Sequence, residues 1–253
     1  MENSSYWFDG LFDIKIENTT IHRSKIPGLV QLLGGKYNIS TDPNATNIVD
    51  QVTEGDQTLY ITEGKAFPIG FSPDKYLYTS ELVSLPQEQR ALALMNAVVI
   101  NPEDEKQISD VMEHIDINTI DFDASIDDLI ASASQYAVDN FSRDSHGFYC
   151  TTDFNEDRVV YFTVPNNDGW TATIDGIKAD IIDSGGMMLL KILGGNHNIE
   201  FLFHTLGLRA GALTSIISCT AFGLYTVVLY TLVMKKKETT TSEECPEKNH
   251  VTL

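Results

Sequence analysis

The chain has 253 residues, 42% of them hydrophobic, and a formal net charge of -19 at pH 7. A surface this acidic repels nucleic acid and anionic lipid headgroups, so the charge argues against a nucleic-acid partner. The residues before position 206 are numerous enough to bury a sizeable core, in one large or two small domains. The overall pattern predicts an α+β fold: a mixed outer region, a carboxy-terminal antiparallel β-sandwich and one transmembrane helix.

Residues 1–115 form the first predicted region, which mixes helices and short strands. Strands are predicted at Leu59–Ile61 and Tyr76–Tyr78, where aromatic and β-branched residues are bounded by turn formers. The glycines within Leu32–Tyr37 indicate a helix end or a strand start. Two helices should follow, one from Ser84 to Val99 and one from Asn101 to His114. The first would be capped by Ser84 and Gln87, and the second would have acidic residues near its start.

Residues 116–205 form the second predicted region, a helix followed by a sandwich. Ser125 and Asp128 have the spacing of a capping box, and apolar residues then recur at helical spacing as far as Phe141. Beyond Phe148 the period changes to two. The strand candidates are Val159–Val164, Gly169–Ile174, Ile177–Ile182, Met187–Leu193 and Asn198–Phe203, separated by turns at 166–169, 175–176, 184–186 and 194–196. Such closely spaced strands predict an antiparallel meander within a β-sandwich.

Residues 206–234 form the predicted transmembrane helix, and residues 235–253 the predicted cytoplasmic tail. No charge occurs from Ala210 to Met234, and Lys235, Lys236 and Lys237 follow directly. A segment of this length spans a bilayer core of about 30 Å. Since positive loops stay inside, the lysines predict a membrane protein with its amino-terminal bulk outside the cytoplasm. Cys150 would then be the single outer cysteine, and an outer domain without disulfides fits a bacterial surface.

The amino terminus creates a problem for that orientation, because residues 1–20 lack the basic and apolar runs of a secretory signal. Either the orientation is wrong, or the chain is the carboxy-terminal piece of a longer protein whose earlier helices delivered it. We favour the second interpretation. Gly211, Ser215, Cys219 and Gly223 recur every four residues and predict a stripe that packs against other transmembrane helices. Small residues are common in membrane helices, so chance is the alternative explanation.

Two patterns of acidic or histidine residues resemble metal sites, but neither has the full set of residues in the required geometry. The segment Asp121–Ser125 resembles the start of a calcium loop, but Ile126 stands where that loop needs glycine and Ser132 where it needs glutamate. The positions of His197 and His204 differ by an odd number, so in a strand their side chains would point to opposite faces. The sequence thus predicts no metal site and no cofactor.

Cys150 and Trp170 are the remaining candidates for chemistry. Cys150 lies near His146, but nothing nearby supplies the third group that would orient a catalytic base, so a buried structural cysteine is the better interpretation. Trp170 could be a platform for a sugar, yet it shares a strand face with Ala172 and Ile174, which favours a core position. We therefore assign no catalytic residue to this chain.

Several segments resemble one family in the right order. They are LLGGKYNIS, LYITEGKAFPIGFS, ELVSLPQEQRALALMNAVV, IDDLIASASQYAVDNFSRDSHGF, RVVYFTVPNNDGWTATIDG, GGMMLLKILGGNHNIEFLF and LGLRAGALTSIIS. Together they resemble the YfhO family of bacterial membrane proteins. That resemblance implies a polytopic protein related to the GT-C glycosyltransferases, with many amino-terminal helices, a large outer domain and a last helix.

The resemblance also implies a function. YfhO-like proteins transfer sugars from polyprenyl-phosphate carriers to cell-envelope polymers of the lipoteichoic acid type. Their catalytic acid is expected in an early outer loop that has no counterpart here. This chain would instead cover the outer side of the catalytic helices and help to bind the acceptor polymer. One alternative is a membrane-tethered module that binds envelope glycan or has a structural role without enzymatic activity. A third interpretation is the product of a broken gene without function.

Overall fold

The computed structural model describes residues 10–12 and 26–243, and it describes side chains as far as residue 236. Most of residues 1–20, on which the expectation about a secretory signal rests, lie outside the described residues. The side chains of the predicted cytoplasmic tail are described only for Lys235 and Lys236. The chain divides into two compact units, Met1–His204 and Thr205–Leu253.

The first unit contains strands and short helices. The strands are β1 (Tyr37–Ser40), β2 (Ile48–Glu54), β3 (Gln57–Glu63), β4 (Gly70–Phe71), β5 (Lys75–Tyr78), β6 (Val98–Ile100), β7 (Glu113–His114), β8 (Asp139–Arg143), β9 (Gly147–Phe154), β10 (Arg158–Pro165), β11 (Trp170–Ile174), β12 (Ile177–Ala179), β13 (Ile182–Ser184), β14 (Met187–Ile192) and β15 (Gly195–Phe203). The helices of this unit are Leu29–Leu32, Thr79–Ser84, Gln87–Asn96, Glu105–Ile108 and Ile126–Ser134, with a 3₁₀ turn at Ile117–Thr119.

Two antiparallel sheets form the predicted sandwich. One has the strand order β12-β11-β15-β9-β8 and the other the order β13-β14-β10-β4. They share one buried cluster, in which Phe148 and Phe201 come from the five-stranded sheet and Phe162 from the four-stranded sheet. The ring centroids of Phe148 and Phe201 are 4.5 Å apart, and those of Phe162 and Phe201 are 4.9 Å apart. Interlocked aromatic rings from both sheets thus hold the sandwich together.

The four-stranded sheet is buried on both faces. Val160 and Phe162 of β10 point into the sandwich, while Val159 and Tyr161 join a second cluster with the helices and the parallel sheet. This double burial explains why β10 and β14 are nearly continuous apolar runs rather than alternating ones. The five-stranded sheet differs, because the burial of β9 alternates along the strand and one of its faces is open to solvent.

The connections within the sandwich differ from the predicted meander. β15 lies between β11 and β9, and β10 pairs with β14 and β4, so several sequential strands are not neighbours. The predicted strand Ile177–Ile182 is in fact two strands, because the chain crosses from the five-stranded to the four-stranded sheet after Ala179. The predicted turn at 194–196 is also wrong, since β15 already begins at Gly195. Its pairing with β9 extends the strand to that residue.

A three-stranded parallel sheet with the order β6-β5-β7 corrects two helix predictions. The first predicted helix ends at Asn96, and Val98 and Val99 pair with Tyr76 and Leu77 instead. Their β-branched side chains suit a buried strand. Of the second predicted helix only Glu105–Ile108 forms, and its expected end at His114 lies in β7.

The predicted capping boxes do not form, although both helix starts are close to the expected positions. Ser84 ends the preceding helix, because Pro86 cannot continue a helical hydrogen-bond ladder and the next helix begins at Gln87. Ser125 occupies the N-cap position of the Ile126–Ser134 helix without a side-chain hydrogen bond to its first turn. That helix ends before Phe141, which lies in β8 and packs against Phe148 at 5.5 Å.

The remaining sheet has the order β1-β3-β2 and is antiparallel, with the predicted strand around Leu59–Ile61 at its centre. The second unit contains the helix Leu208–Glu243. Its segment Leu208–Lys236 has 29 residues and a mean hydropathy of 1.9, which is long and apolar enough to cross a membrane. The predicted fold class, with mixed α and β elements, antiparallel sheets and one carboxy-terminal apolar helix, is therefore confirmed.

Candidate ligand-binding face of the five-stranded sheet

A row of polar side chains crosses the open face of the five-stranded sheet. Lys178, Thr173, Glu200, Tyr149 and Ser142 are successive cross-strand neighbours on β12, β11, β15, β9 and β8. Strand side chains alternate between faces, so this row lies opposite the buried residues of the same strands. The Tyr149 side chain is 52% exposed. The sequence and the strand pairing thus place one aromatic ring in the middle of a hydrophilic surface.

A groove of about 590 Å³ runs along this face, which is within the size range of small-molecule binding sites. Its lining combines the Tyr149 ring with the amides of Asn140 and Asn198, the hydroxyls of Thr151 and Thr173 and the Glu200 carboxylate. Amides, hydroxyls and a carboxylate supply both donors and acceptors, which are the partners that sugar hydroxyls need. An exposed aromatic ring can cover the apolar face of a sugar ring. The groove therefore presents the side-chain groups that a ligand with many hydroxyls needs.

The Asp175–Gly176 turn closes one end of the groove. Asp175 has φ 52° and Gly176 φ 79°, the left-handed pair that a two-residue Asp-Gly hairpin requires, as the sequence predicts. One Asp175 carboxylate oxygen accepts a hydrogen bond from the Asn198 backbone N–H at 2.9 Å. The other oxygen is 2.6 Å from His197 Nδ1. The turn is thus tied to β15 by two bonds from a single side chain.

This pair changes the protonation of both groups. The hydrogen bond from the Asn198 backbone and the contact with His197 lower the pKa of the Asp175 carboxyl. The Asp175 carboxylate in turn raises the pKa of His197, and the Gly194 backbone carbonyl acts in the same direction. His197 is therefore a structural partner of an aspartate. In the described part of the chain, no group of three His, Cys, Asp or Glu side chains is arranged to hold a metal ion.

A second cavity, of about 480 Å³, adjoins the groove at the same turn and includes Asp175 in its wall. Ile174, Ile177 and Leu193 supply much of its apolar lining. Ile177 is 74% exposed and Leu193 is 62% exposed, although both are large and apolar. Lys191 also lines this cavity, and its Nζ binds both carboxylate oxygens of Asp110 at 2.6 and 2.7 Å. A polar groove and a largely apolar cavity thus meet at one residue.

The candidates from the sequence take other positions. Trp170 is half-buried against the sandwich core, with its ring 5.6 Å from Phe148 and 5.0 Å from Phe203, which agrees with the predicted core role. Cys150 is 1% exposed, and burial raises the pKa of its thiol to about 12. The thiol is therefore protonated at neutral pH and is not an activated nucleophile, as expected from the sequence.

The acidic loop before the Ile126–Ser134 helix is held by local hydrogen bonds. One Asp121 carboxylate oxygen accepts a bond from the Asp123 backbone N–H at 3.0 Å. Asp116 likewise accepts from the Asn118 backbone at 2.9 Å, and this bond lowers the pKa of Asp116. These contacts agree with the interpretation of a solvated loop leading into a helix.

The predicted packing stripe lies on the apolar helix and remains a prediction. Gly211, Ser215, Cys219 and Gly223 are all exposed in the described chain. A Cβ added at Gly211 or Gly223 would meet no atom within 4 Å. The Ser215 hydroxyl donates to the Gly211 carbonyl at 2.9 Å, within the same helix. The stripe is thus open for contact with another helix.

Sequence reasoning missed Tyr149 and its neighbours on the open face. The usable signal was the alternation within Gly147–Phe154, where Phe148 and Cys150 are buried and the tyrosine between them is not. The other members of the row could not be aligned without knowing that β15 pairs with both β11 and β9.

The comparison with known families agrees with this architecture. A β-sandwich followed in the chain by an apolar helix long enough to span a bilayer defines a membrane-associated protein with a folded polar domain. Residues 111–215 match the model of the family described as bacterial membrane protein YfhO. Over this region the chain is similar to that family, which supports the resemblance seen in the sequence. No curated protein and no solved structure matches the chain.

Proposed function

We propose that this chain supplies the extracytoplasmic domain and the last membrane helix of a YfhO-like glycosyltransferase that modifies a cell-envelope polymer of the lipoteichoic acid type. In this proposal the open face of the five-stranded sheet seats the acceptor glycan. Other transmembrane helices, which pack against the Gly211–Gly223 stripe, carry the polyprenyl-phosphate sugar and perform the transfer. The family match over residues 111–215 and the apolar helix support the membrane setting.

The observation that carries the proposal is the groove around Tyr149. It combines an exposed aromatic ring with amide, hydroxyl and carboxylate groups in a cavity large enough for a few sugar rings. The adjoining apolar cavity extends the same face and could contact an apolar part of the acceptor or of its carrier. This arrangement supports a domain that recognises substrate and leaves the bond-forming step to its partner helices.

Binding can be measured with the full chain in detergent micelles. Purified lipoteichoic acid, with its acyl chains removed, is titrated into the wild-type chain and into Tyr149→Ala, Glu200→Gln and Tyr37→Ala variants by calorimetry. Tyr37 is the matched control, because it is 59% exposed but lies on the separate three-stranded sheet. We expect about tenfold weaker binding for Tyr149→Ala, equivalent to about 1.4 kcal/mol, and unchanged binding for the control. Equal affinity in all four proteins would contradict the assignment of the groove.

The proposed orientation has its own test. Protease added to right-side-out membrane vesicles should digest the domain before residue 205 and leave the lysine-rich end protected. In inside-out vesicles the order of digestion should reverse. Protection of the domain in right-side-out vesicles would refute the orientation.

The second candidate is a membrane-tethered glycan-binding module without a role in transfer, and the same groove favours it. The two functions differ in their effect on the envelope. Deleting the gene should remove a sugar substituent from the acceptor polymer if the chain serves a glycosyltransferase. If the chain binds glycan but the polymer composition is unchanged by the deletion, the binding module is the correct function.

A further inference from the structure

A small polar cavity of about 230 Å³ lies apart from the glycan groove, where β4 leads into β5. Its wall includes Ser72, Lys75, Asn96, Ser132, Tyr136 and Arg158. Two cations are thus brought to one cavity of a strongly acidic chain, in which acidic side chains outnumber basic ones by 36 to 17. None of these residues lines the groove around Tyr149.

Arg158 is held in place but has unused hydrogen-bond donors. Its side chain is 17% exposed, and the guanidinium carbon lies 4.2 Å from the centre of the Tyr136 ring and 5.9 Å from that of Phe154. Its Nη2 donates to Glu156 at 2.6 Å. A guanidinium has five N–H donors, and among the described residues the others have no partner. The aromatic rings thus fix the orientation of the guanidinium, but they do not supply hydrogen-bond acceptors for its remaining N–H groups.

Two further donors in the same wall lack partners. Ser72 is 5% exposed, and its hydroxyl is buried without a hydrogen-bond partner in the described chain. A buried polar group of this kind calls for a ligand or a water molecule. Lys75 is half-buried and, among the described residues, its ammonium group forms no ion pair. The groups of Arg158, Ser72 and Lys75 are all able to donate, which favours an acceptor-rich ligand.

The two acidic residues near the cavity, Glu156 and Asp74, do not supply enough acceptors for the donors of Arg158, Ser72 and Lys75. Glu156 is 67% exposed and contacts Arg158 through a single oxygen, so a ligand can share or displace it at little cost. Asp74 also lines the cavity but is an exposed residue. A carboxylate has two acceptor oxygens, whereas a phosphoryl group has three and up to two negative charges. Two cations and a hydroxyl match the phosphoryl group better.

We propose that this cavity is a binding site for a phosphoryl group carried by a small molecule. Arg158 binds two phosphoryl oxygens with its free N–H donors, and Lys75 supplies the second positive charge. The Ser72 hydroxyl turns about its side-chain bond to donate to the third oxygen. The volume of about 230 Å³ accommodates a phosphoryl group with a small substituent and excludes a long polymer segment. This site is independent of the proposed glycan groove.

The test uses the full chain in detergent micelles, with glycerol 3-phosphate as the probe and glycerate as the carboxylate of similar size. Binding is followed by calorimetry in a buffer without phosphate. We expect saturable binding of the phosphate that is at least tenfold tighter than that of glycerate. Arg158→Gln and Lys75→Gln should each weaken it at least tenfold. Lys106→Gln is the matched control, because Lys106 is an exposed cation that lines neither this cavity nor the two at the Asp175–Gly176 turn, and it should bind like the wild type.

Ser72→Ala keeps the test decisive if the arginine variant fails to fold. Removing an unpartnered hydroxyl should leave the urea midpoint equal or higher, while phosphate binding becomes weaker. Absence of saturable binding to the wild type, equal binding of glycerate, or equal affinity in the Lys75 and control variants would overturn the proposal. Because the lipoteichoic acid titration probes Tyr149, its outcome can fail or succeed separately from this one.

Discussion

Replacing Phe201 by alanine should show whether the two sheets share one core. Phe201 is 0% exposed, its ring stacks on Phe148 at an interplanar angle of 18°, and it meets the Phe162 ring edge-on. Truncating a buried phenylalanine typically costs about 3–5 kcal/mol, from lost burial and from the cavity left behind. Because aromatic neighbours on two sheets lose their partner, we expect the upper half of that range.

Urea unfolding of the full chain in detergent micelles measures this loss. With a slope of about 2–3 kcal/mol per molar urea, a loss of about 4 kcal/mol moves the midpoint down by about 1–2 M. Trp170 is a suitable fluorescent reporter, since its ring centroid is 6.4 Å from that of Phe201. The chain has two tryptophans, so Trp7 is replaced by phenylalanine in all variants.

The matched control is Ile177→Ala, an apolar truncation on the same sheet at a residue that is 74% exposed. Its effect should stay within about 0.5 kcal/mol, as is usual for surface positions. If Phe201→Ala shifts the midpoint no more than this control does, Phe201 does not join the two sheets and the described core is wrong.

Three further predictions concern other parts of the first unit. Gly147→Ala should lower stability by about 2 kcal/mol or more, since its Cβ would overlap the backbone of β15, whereas Gly64→Ala has an ordinary contact at 3.8 Å and should unfold near the wild-type midpoint. Asp175→Asn should weaken the pH dependence of stability. In the wild type, the pairing of protonated His197 with Asp175 stabilises the fold. This stabilisation is fully present below the ordinary histidine pKa of about 6.5 and is lost as the pH rises through the raised pKa. Urea midpoints at pH 6 and pH 9 should therefore differ less in the variant. In a variant whose other cysteines are serines, the Cys150 thiol should react with a thiol reagent at pH 8 at least a hundredfold more slowly in the native than in the unfolded chain; equal rates would contradict its burial.

Local patterns were sufficient for several elements. The Asp175–Gly176 pair predicts a tight hairpin because few residues other than glycine, asparagine and aspartate tolerate positive φ, and the turn is present. The strands β10 and β14 lie within one or two residues of the predicted ranges, because their apolar runs are bounded by turn formers. The start of the Ile126–Ser134 helix was likewise visible from its apolar spacing.

Some segments have a sequence pattern that fits either a helix or a strand. In these segments, contacts with residues distant in the chain determine which structure forms. Val98 and Val99 continue an apolar helical face, yet pairing with Tyr76 and Leu77 makes them a strand. His114 suits a helix end by charge, but it lies in β7, where its ring centroid is 4.7 Å from that of Tyr78 and its Nε2 is 2.9 Å from Glu81. Local sequence patterns cannot predict such contacts, because the residues that make them are far apart in the chain.

The candidate sites depend still more on distant contacts. Tyr149 and Glu200 are neighbours only because β9 pairs with β15, and Arg158 and Lys75 line one cavity only because β10 pairs with β4, the strand that precedes β5. By itself the sequence determined the α+β class, the apolar helix, the Asp175–Gly176 turn and the resemblance to a family, because these depend on composition, periodicity and residues close together in the chain. The tertiary structure alone decided which face of the sandwich is open and which polar groups converge, because strand order and register join residues that the sequence keeps far apart.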